Sequence, residues 1–268
     1  MQNKITILGS GTCVYSFYQP FDFRYPSGYL LQYEGLNILI DCSEGIRSRL
    51  EQMRFDYFKI SNIFISHFHP DHFSLDTFLQ AMYVRGSKAK EWKKIDICGP
   101  KGIEEKFSTI WDLKHMKGHY QRDFKKTMDI NFHELSDGKN FLLSDKMKVT
   151  AFRVPHGEME AYAMRIDRGG NAYCYSGDSG HSVNLIKAAY NTELFICESA
   201  LAVGENSKDN SHLNPLQAGE IAKKAKVKEL VLTHYTGINS PEAMLDEAKK
   251  SGFSGKLTVG KDFQIFNL

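Results

Sequence analysis

The chain has 268 residues, 42% of them hydrophobic and 25% charged, with a formal net charge of +2. This is the composition of a folded globular chain and excludes a disordered, collagen-like or disulfide-stapled one. No run approaches the roughly 20 apolar residues of a membrane-spanning helix, and MQNKITILGS lacks a signal peptide's apolar core, so the expectation is a soluble, cytoplasmic protein without membrane contact.

In chain order, KITILG (4–9) reads as a strand, followed by the turn-forming Gly9-Ser10-Gly11-Thr12. SGYLLQYEG and LNILIDC (27–42) read as two strands of a hairpin joined near Glu34-Gly35. GIRSRLEQM (45–53) has helical spacing, SNIFIS (61–66) is a short β-rich run ending at His67, and residues 73–84 resume a helical pattern. KIDICG (94–99) reads as a strand and 102–114 as a helix; 130–135, 139–143 and 147–154 read as strands, the last running into Pro155-His156. YAMRID (162–167) and NAYCYSG (171–177) form a strand pair, 182–190 is helical, and TELFICE (192–198) is a buried strand. Asn214 as N-cap, Pro215 at the first helical position and Gln217 at the capping-box position open a helix, and Ala218, Ile221, Ala222 and Ala225 repeat along one face. A strand (228–235), a helix (241–251) and two strands (256–259, 262–266) close the chain.

No Pro/Ser-rich linker, low-complexity tract or repeat interrupts this order, so residues 1–268 read as a single α/β domain of two successive β-rich halves, each with helices. Five scattered cysteines without a CxxC pair (Cys13, Cys42, Cys98, Cys174 and Cys197) read as reduced, buried thiols rather than disulfides or a thiolate metal site. Residues 85–126 hold twelve Lys/Arg against six Asp/Glu. Solvated helix faces account for this bias; the sharper alternative is a positive rim that attracts an anionic substrate.

The strongest chemical signal is Ser66-His67-Phe68-His69-Pro70-Asp71-His72. Three His and one Asp fall within six residues just past a buried strand, and imidazole nitrogen and carboxylate oxygen are the usual non-thiolate ligands of zinc. His156, Asp178 and His234 also sit just beyond strands, where α/β folds gather their sites. Among the other histidines, His115 and His119 have i, i+4 spacing weakened by Gly118, His133 lies in a strand, and His181 follows Asp178 by three residues, near enough to touch a substrate. Gly9-Ser10-Gly11-Thr12 makes a tight turn rather than a phosphate loop, and Asp41 at a strand end is placed to hydrogen-bond a ligand His.

These residues resemble the metallo-β-lactamase superfamily. Its HxHxDH motif matches His67, His69, Asp71 and His72, and its later His, Asp and His match His156, Asp178 and His234. The resemblance implies an αβ/βα four-layer sandwich, two mixed β-sheets flanked by helices, with the site at one edge of the sheets. It also implies two divalent metal ions, zinc with manganese or iron as alternatives. One ion would take His67, His69 and His156, the other Asp71, His72 and His234, and Asp178 would bridge them. Within the superfamily the chain is most similar to the ribonuclease Z and small-phosphodiesterase branch, through LGSGT, SGYLL, LIDCSEG, the segment Ser211-His212-Leu213-Asn214-Pro215-Leu216-Gln217-Ala218 and the 22 residues from His212 to His234. It departs from that branch at Pro70, where ribonuclease Z usually has Gly. The 22-position separation of His156 and Asp178 leaves no length for the tRNA-gripping arm, and Tyr235-Thr236-Gly237 stands where the branch has a Ser/Arg-rich tail.

The expectation that follows is a metal-dependent hydrolase of ester bonds, a phosphodiesterase like ribonuclease Z without the arm, using a hydroxide that bridges the dinuclear centre. Asp71 binds metal and orients the hydroxide, His212 protonates the leaving oxygen, and Glu198 orients His212. The substrate is a small phosphodiester, a cyclic nucleotide or an RNA end. The alternatives are a lactonase, thioesterase or β-lactamase-type hydrolase, and a metal-binding protein without catalysis. The family often forms homodimers, for which the sequence holds no marker.

Overall fold

The computed structural model describes residues 3–13, 23–111 and 128–268. His115, His119 and the end of the helix expected over 102–114 lie outside them. The chain divides into two compact units, one built from residues 1–9, 26–134 and 263–268, the other from 10–25 and 135–262.

The first unit is a seven-stranded mixed sheet in the order β14-β1-β2-β3-β4-β5-β6. Its strands are β1 (Lys4–Gly9), β2 (Gly28–Tyr33), β3 (Leu36–Ile40), β4 (Asn62–Phe64), β5 (Ile95–Gly99), β6 (Ile130–Glu134) and β14 (Ile265–Asn267). β2 and β3 pair antiparallel with Tyr33 opposite Leu36. The two residues between them, Glu34 and Gly35, both have positive φ, as a tight two-residue hairpin turn requires. From β3 onward the neighbours are parallel. Parallel neighbours need crossover connections, and helices α1 (Ile46–Gln52), α2 (Leu75–Ala89) and α3 (Ile103–Trp111) lie in those crossovers. Leu39, Ile46, Leu50, Ile63, Phe78, Leu79 and Ile97 are buried together between this sheet and its helices.

The second unit is a seven-stranded mixed sheet in the order β13-β12-β11-β10-β9-β8-β7. Its strands are β7 (Asn140–Ser144), β8 (Met147–Val154), β9 (Ala161–Arg168), β10 (Asn171–Tyr175), β11 (Leu194–Glu198), β12 (Glu229–Thr233) and β13 (Lys256–Val259). β7 to β10 form an antiparallel meander and β10 to β13 are parallel. Helices α4 (Val183–Ala189), α5 (Pro215–Lys224) and α6 (Pro241–Lys250) make the parallel crossovers and bury Leu185, Ile221, Ala222 and Met244 against Phe195 and Leu230. Because β8, β10, β11 and β12 run in one direction, their C-terminal ends share one edge of the sheet.

The expected elements form, with informative shifts. α2 begins at Leu75 rather than 73, because Phe73 bridges to Cys42 and Ser74 donates its N–H to the Cys42 carbonyl. It runs on to Ala89 and stops at Lys90, which takes a left-handed conformation. The last strand starts at Ile265 rather than 262, because Phe263 has φ +64 and the Asp262 carboxylate accepts hydrogen bonds from Ser10 and Tyr25. A 3-10 turn at Tyr57–Lys59 has no counterpart in the pattern reading. Among the described residues of the basic stretch, Arg85, Lys88, Lys90, Lys93, Lys94, Lys101 and Lys106 are all exposed.

The α5 start has the full capping box. The Asn214 side chain accepts from Gln217 N–H at 2.9 Å, and Gln217 accepts from Asn214 N–H at 3.0 Å. Replacing Asn214 with Ala removes the first of these bonds, worth about 1 kcal/mol. The expected result in a thermal melt is a Tm lower by about 2–4 °C, and an unchanged Tm would show that the cap contributes nothing.

Candidate metal centre

In the first unit the His-rich segment leaves the C-terminal end of β4 and is clipped to the loop that leaves its parallel neighbour β3. Cys42 N–H donates to the His72 carbonyl at 3.0 Å, and His72 N–H to the His69 carbonyl at 2.9 Å. Asp41, fully buried, is the anchor of this loop pair. Its carboxylate accepts from Ser66 N–H at 2.7 Å, from Ser66 Oγ at 2.9 Å and from His72 Nδ1–H at 2.7 Å. A carboxylate removed from water stays ionised only when such donors replace its hydration.

These bonds fix the imidazoles. Because His72 uses Nδ1 on Asp41, its lone pair is on Nε2. Ser66 Oγ spends its proton on Asp41 and so accepts from His67 Nδ1, 3.0 Å away, which leaves the His67 lone pair on Nε2 as well. His67 Nε2 and His69 Nδ1 lie 3.1 Å apart. Asp71 and His72 offer ligand atoms within 4.8 Å of each other. The hydrogen bond expected between Asp41 and a candidate ligand His is present, while the part played by Ser66 emerges only from the fold.

The second unit gathers its candidates along the shared edge of β8, β10, β11 and β12. His156, two residues past β8, donates from Nδ1 to the Ser211 carbonyl at 2.7 Å, so its lone pair is on Nε2. That atom is 3.8 Å from Asp178 Oδ2, and His234 Nε2 is 3.4 Å from the same oxygen. One carboxylate oxygen therefore sits between two imidazoles. All three residues are buried.

His212 stacks on His234 with centroids 5.6 Å apart and meets His156 edge-on at 4.9 Å. Its Nδ1 is 3.0 Å from Glu198 Oε1, which also accepts from the N–H groups of Ser179 and Leu213, while Oε2 accepts from Ala200 N–H. Glu198, at the end of β11 and 1% exposed, is thus held by four donors. This is the orienting contact expected for it. Asp178, His212 and His234 also present ligand atoms within 4.8 Å of one another.

His234 takes a left-handed backbone conformation, φ +57, that a non-glycine residue adopts at a cost of about 1–3 kcal/mol. A clamp that sequence reasoning missed holds it there. Tyr235 N–H donates to the Ser10 carbonyl at 2.9 Å, and the Arg24 guanidinium lies 3.7 Å above the Tyr235 ring while donating to the Gly260 carbonyl. Gly11 lies against Arg24, where a Cβ would come within 2.8 Å of the Arg24 carbonyl oxygen. The Gly-Ser-Gly-Thr segment, read from the sequence only as a tight turn, therefore also buttresses His234. Between His156 and Asp178 there is no arm, because β9 and β10 fill the stretch and join through Gly169 and Gly170, both at positive φ.

The donor chemistry fits a borderline-soft divalent cation. Each unit offers imidazole Nε2 atoms whose Nδ1 partners are fixed by a carboxylate, a hydroxyl or a carbonyl, together with a carboxylate, and this is how histidine ligands are oriented. Among the described residues no cysteine joins these groups, and Cys13, expected to be buried, is exposed. Cys42, Cys98, Cys174 and Cys197 are buried, and burial drives the thiols of Cys42, Cys174 and Cys197 well above the ordinary range, so they stay protonated and inert. His133 bonds Asp96 at 2.8 Å on the far strands of the first sheet and stands outside the ligand sets.

Two mixed sheets flanked by helices, with imidazoles and carboxylates gathered at strand ends, define a metallo-hydrolase architecture. A family model described as a beta-lactamase superfamily domain matches residues 36–235, and the chain belongs to that superfamily. It is 28% identical to ribonuclease Z of Methanothermobacter thermautotrophicus, over 92% of this chain and 91% of that protein. It is likewise 28% identical to the probable metallo-hydrolase YhfI of Bacillus subtilis, over 96% and 97%. The crystal structure of the metallo-beta-lactamase fold protein YhfI superposes with a TM-score of 0.81 at 24% identity, covering all of both chains. The fold is thus that of the metallo-β-lactamase proteins, and the chain is a superfamily hydrolase with ribonuclease Z among its relatives.

Asp41 offers a test separate from catalysis. Asn tolerates the left-handed conformation that Asp41 adopts at φ +55, so Asp41→Asn removes the charge while sparing the backbone. Metal retention against a competing chelator should fall about 10- to 100-fold. Unaltered retention would show that the Asp41–His72 bond does not tune a ligand.

Proposed function

We propose that the protein is a metal-dependent phosphodiesterase with two divalent ions, zinc first, held in one 268-residue hydrolase domain. His67, His69 and His156 would hold one ion, Asp71, His72 and His234 the other, and Asp178 would serve both. The substrate is a small phosphodiester, a nucleotide or an RNA end, and relatives named ribonuclease Z support that class. When bound, such a pair of ions supplies a water of lowered pKa and positive charge against phosphoryl oxygens. The chain's own groups supply the rest.

The observation that carries the reading is the pairing of His212 with buried Glu198 beside Asp178 and His234. Cleaving a phosphodiester expels an alkoxide or ribose oxygen that must be protonated. Glu198, fixed by backbone N–H groups, accepts from His212 Nδ1–H and orients the ring, so that the proton given up is one carried on Nε2. Asp71 orients the attacking water through its carboxylate. Hydrolysis of a lactone, thioester or β-lactam is the competing use of the same fold.

One feature favours a second role for His212, since its ligand atom lies as close to Asp178 and His234 as a metal ligand would. The variant His212→Ala separates the two. As a proton donor, its loss leaves about two equivalents of transition metal by elemental analysis and lowers kcat on bis(p-nitrophenyl) phosphate about 10²–10⁴-fold. Loss of one equivalent would make it a ligand instead. Turnover of lactone, thioester or β-lactam substrates without phosphodiester cleavage would overturn the phosphodiesterase reading, and binding of less than one equivalent of metal would overturn the centre itself.

A further inference from the structure

The Ser211 carbonyl that accepts from His156 belongs to the peptide unit joining Ser211 to His212, so one rigid plane lies between a candidate ligand and the candidate acid. On one side of that plane His212 is held by Glu198. On the other side the holding group is Asp209, a residue outside the candidate ligand sets. Its Oδ1 accepts from Ser211 Oγ at 2.7 Å, from Ser211 N–H at 3.2 Å and from Ser207 Oγ at 2.7 Å. Ser207 Oγ, its proton spent on Asp209, itself accepts from Ser211 N–H at 2.8 Å. Backbone and side chain of Ser211 are therefore both fixed through one carboxylate oxygen. The Ser207 hydroxyl, followed by that of Ser211, holds the Asp209 carboxyl at about 2, below the ordinary carboxylate value, so it is an acceptor at neutral pH.

Asp209 also meets the His156 loop directly. Gly157, at φ +57, follows His156, and a Cβ there would lie 3.2 Å from Asp209 Oδ2. The next residue braces a second loop. Asn210 has φ +54, a left-handed backbone that Asn tolerates, and its side chain accepts from His181 N–H at 3.0 Å and donates to the His181 carbonyl at 3.2 Å. Gly180 N–H in turn donates to the Pro155 carbonyl at 2.8 Å. Residues 207–211 are thus tied to the loops that leave β8 and β10, which carry His156 and Asp178. Lys208, Asp209 and Asn210 are exposed, so these bonds aim a carbonyl rather than fill a core.

A neutral imidazole exchanges between two tautomers unless one nitrogen is engaged. If the Ser211 carbonyl swings away, His156 Nδ1 loses its acceptor, the proton divides between the two nitrogens, and Nε2 offers its lone pair only part of the time.

We propose that Asp209 is a positioning residue for His156: by holding Ser211 it commits His156 Nδ1 to the Ser211 carbonyl and aims Nε2 at the ion this histidine would hold, without touching that ion. The inference rests on the metal-centre reading and adds to it a residue that binds no metal. Two measurements on the full chain test it. The first uses metal-free protein carrying ¹⁵N-labelled histidine at about pH 8.5, where imidazoles are neutral, and reads from long-range ¹H–¹⁵N couplings which nitrogen of His156 bears the proton. Wild type should show Nδ1–H, and Asp209→Ala a mixture of tautomers. Asp209→Asn should restore Nδ1–H, because all three donors use Oδ1, the oxygen that Asn keeps. The second measures metal retention against a chelator, which should fall about 10- to 100-fold in Asp209→Ala and recover in Asp209→Asn. A pure Nδ1–H form in Asp209→Ala, or retention equal to wild type, would overturn the positioning role. So would a lowered Tm with tautomer and retention unchanged, the mark of a merely structural turn. Wild-type protein that binds less than one equivalent of metal, while its His156 tautomer still responds to Asp209, would remove the metal reading and leave the coupling of Asp209 to His156 standing.

Discussion

The feature on which the rest depends is that each candidate imidazole whose partner can be traced has one nitrogen committed to the fold. His72 is fixed by Asp41, His67 by Ser66, His156 by the Ser211 carbonyl and His212 by Glu198. A free imidazole has two tautomers and a rotating ring. Once Nδ1 is spent on a buried acceptor, Nε2 is the only lone pair on offer and its direction is set. The acceptors are affordable inside the protein because they are satisfied in turn, Asp41 by three donors and Glu198 by four.

The parallel strands make this arrangement inexpensive. Strands that run together end together, so one sheet edge collects loops from positions far apart in the chain. In the first unit that edge brings Asp41 to the His-rich segment. In the second it brings His156, Asp178, Glu198 and His234 together, although they are spread over nearly eighty residues. The cost appears as strain, with Asp41 and His234 both in left-handed backbone. At His234 the strain is held by the clamp of Ser10, Arg24 and Tyr235, which ties the early glycine turn to the last candidate ligand.

The residues between His156 and Asp178 form the β9–β10 hairpin, which leaves no length in that stretch for a tRNA-gripping arm.

By itself the sequence determined the element order and the candidate ligand types. Strand and helix periods are local, so the β2–β3 hairpin, the Asn214–Gln217 capping box and the β9–β10 pair were legible from spacing alone. The His-rich segment stood out because four ligand-type side chains crowd into six residues, and Asp41 and Glu198 were legible as polar residues at strand ends. Only the tertiary structure decided which groups hold which. The Ser211 carbonyl that fixes His156 is a backbone atom that carries no sequence signal. Ser66 became a relay only once Asp41 was brought against it from 25 positions away. The clamp on His234 depends on residues more than two hundred positions apart. Local pattern follows from the backbone's own periods, whereas these partnerships arise from loop ends that meet only after the sheets have formed.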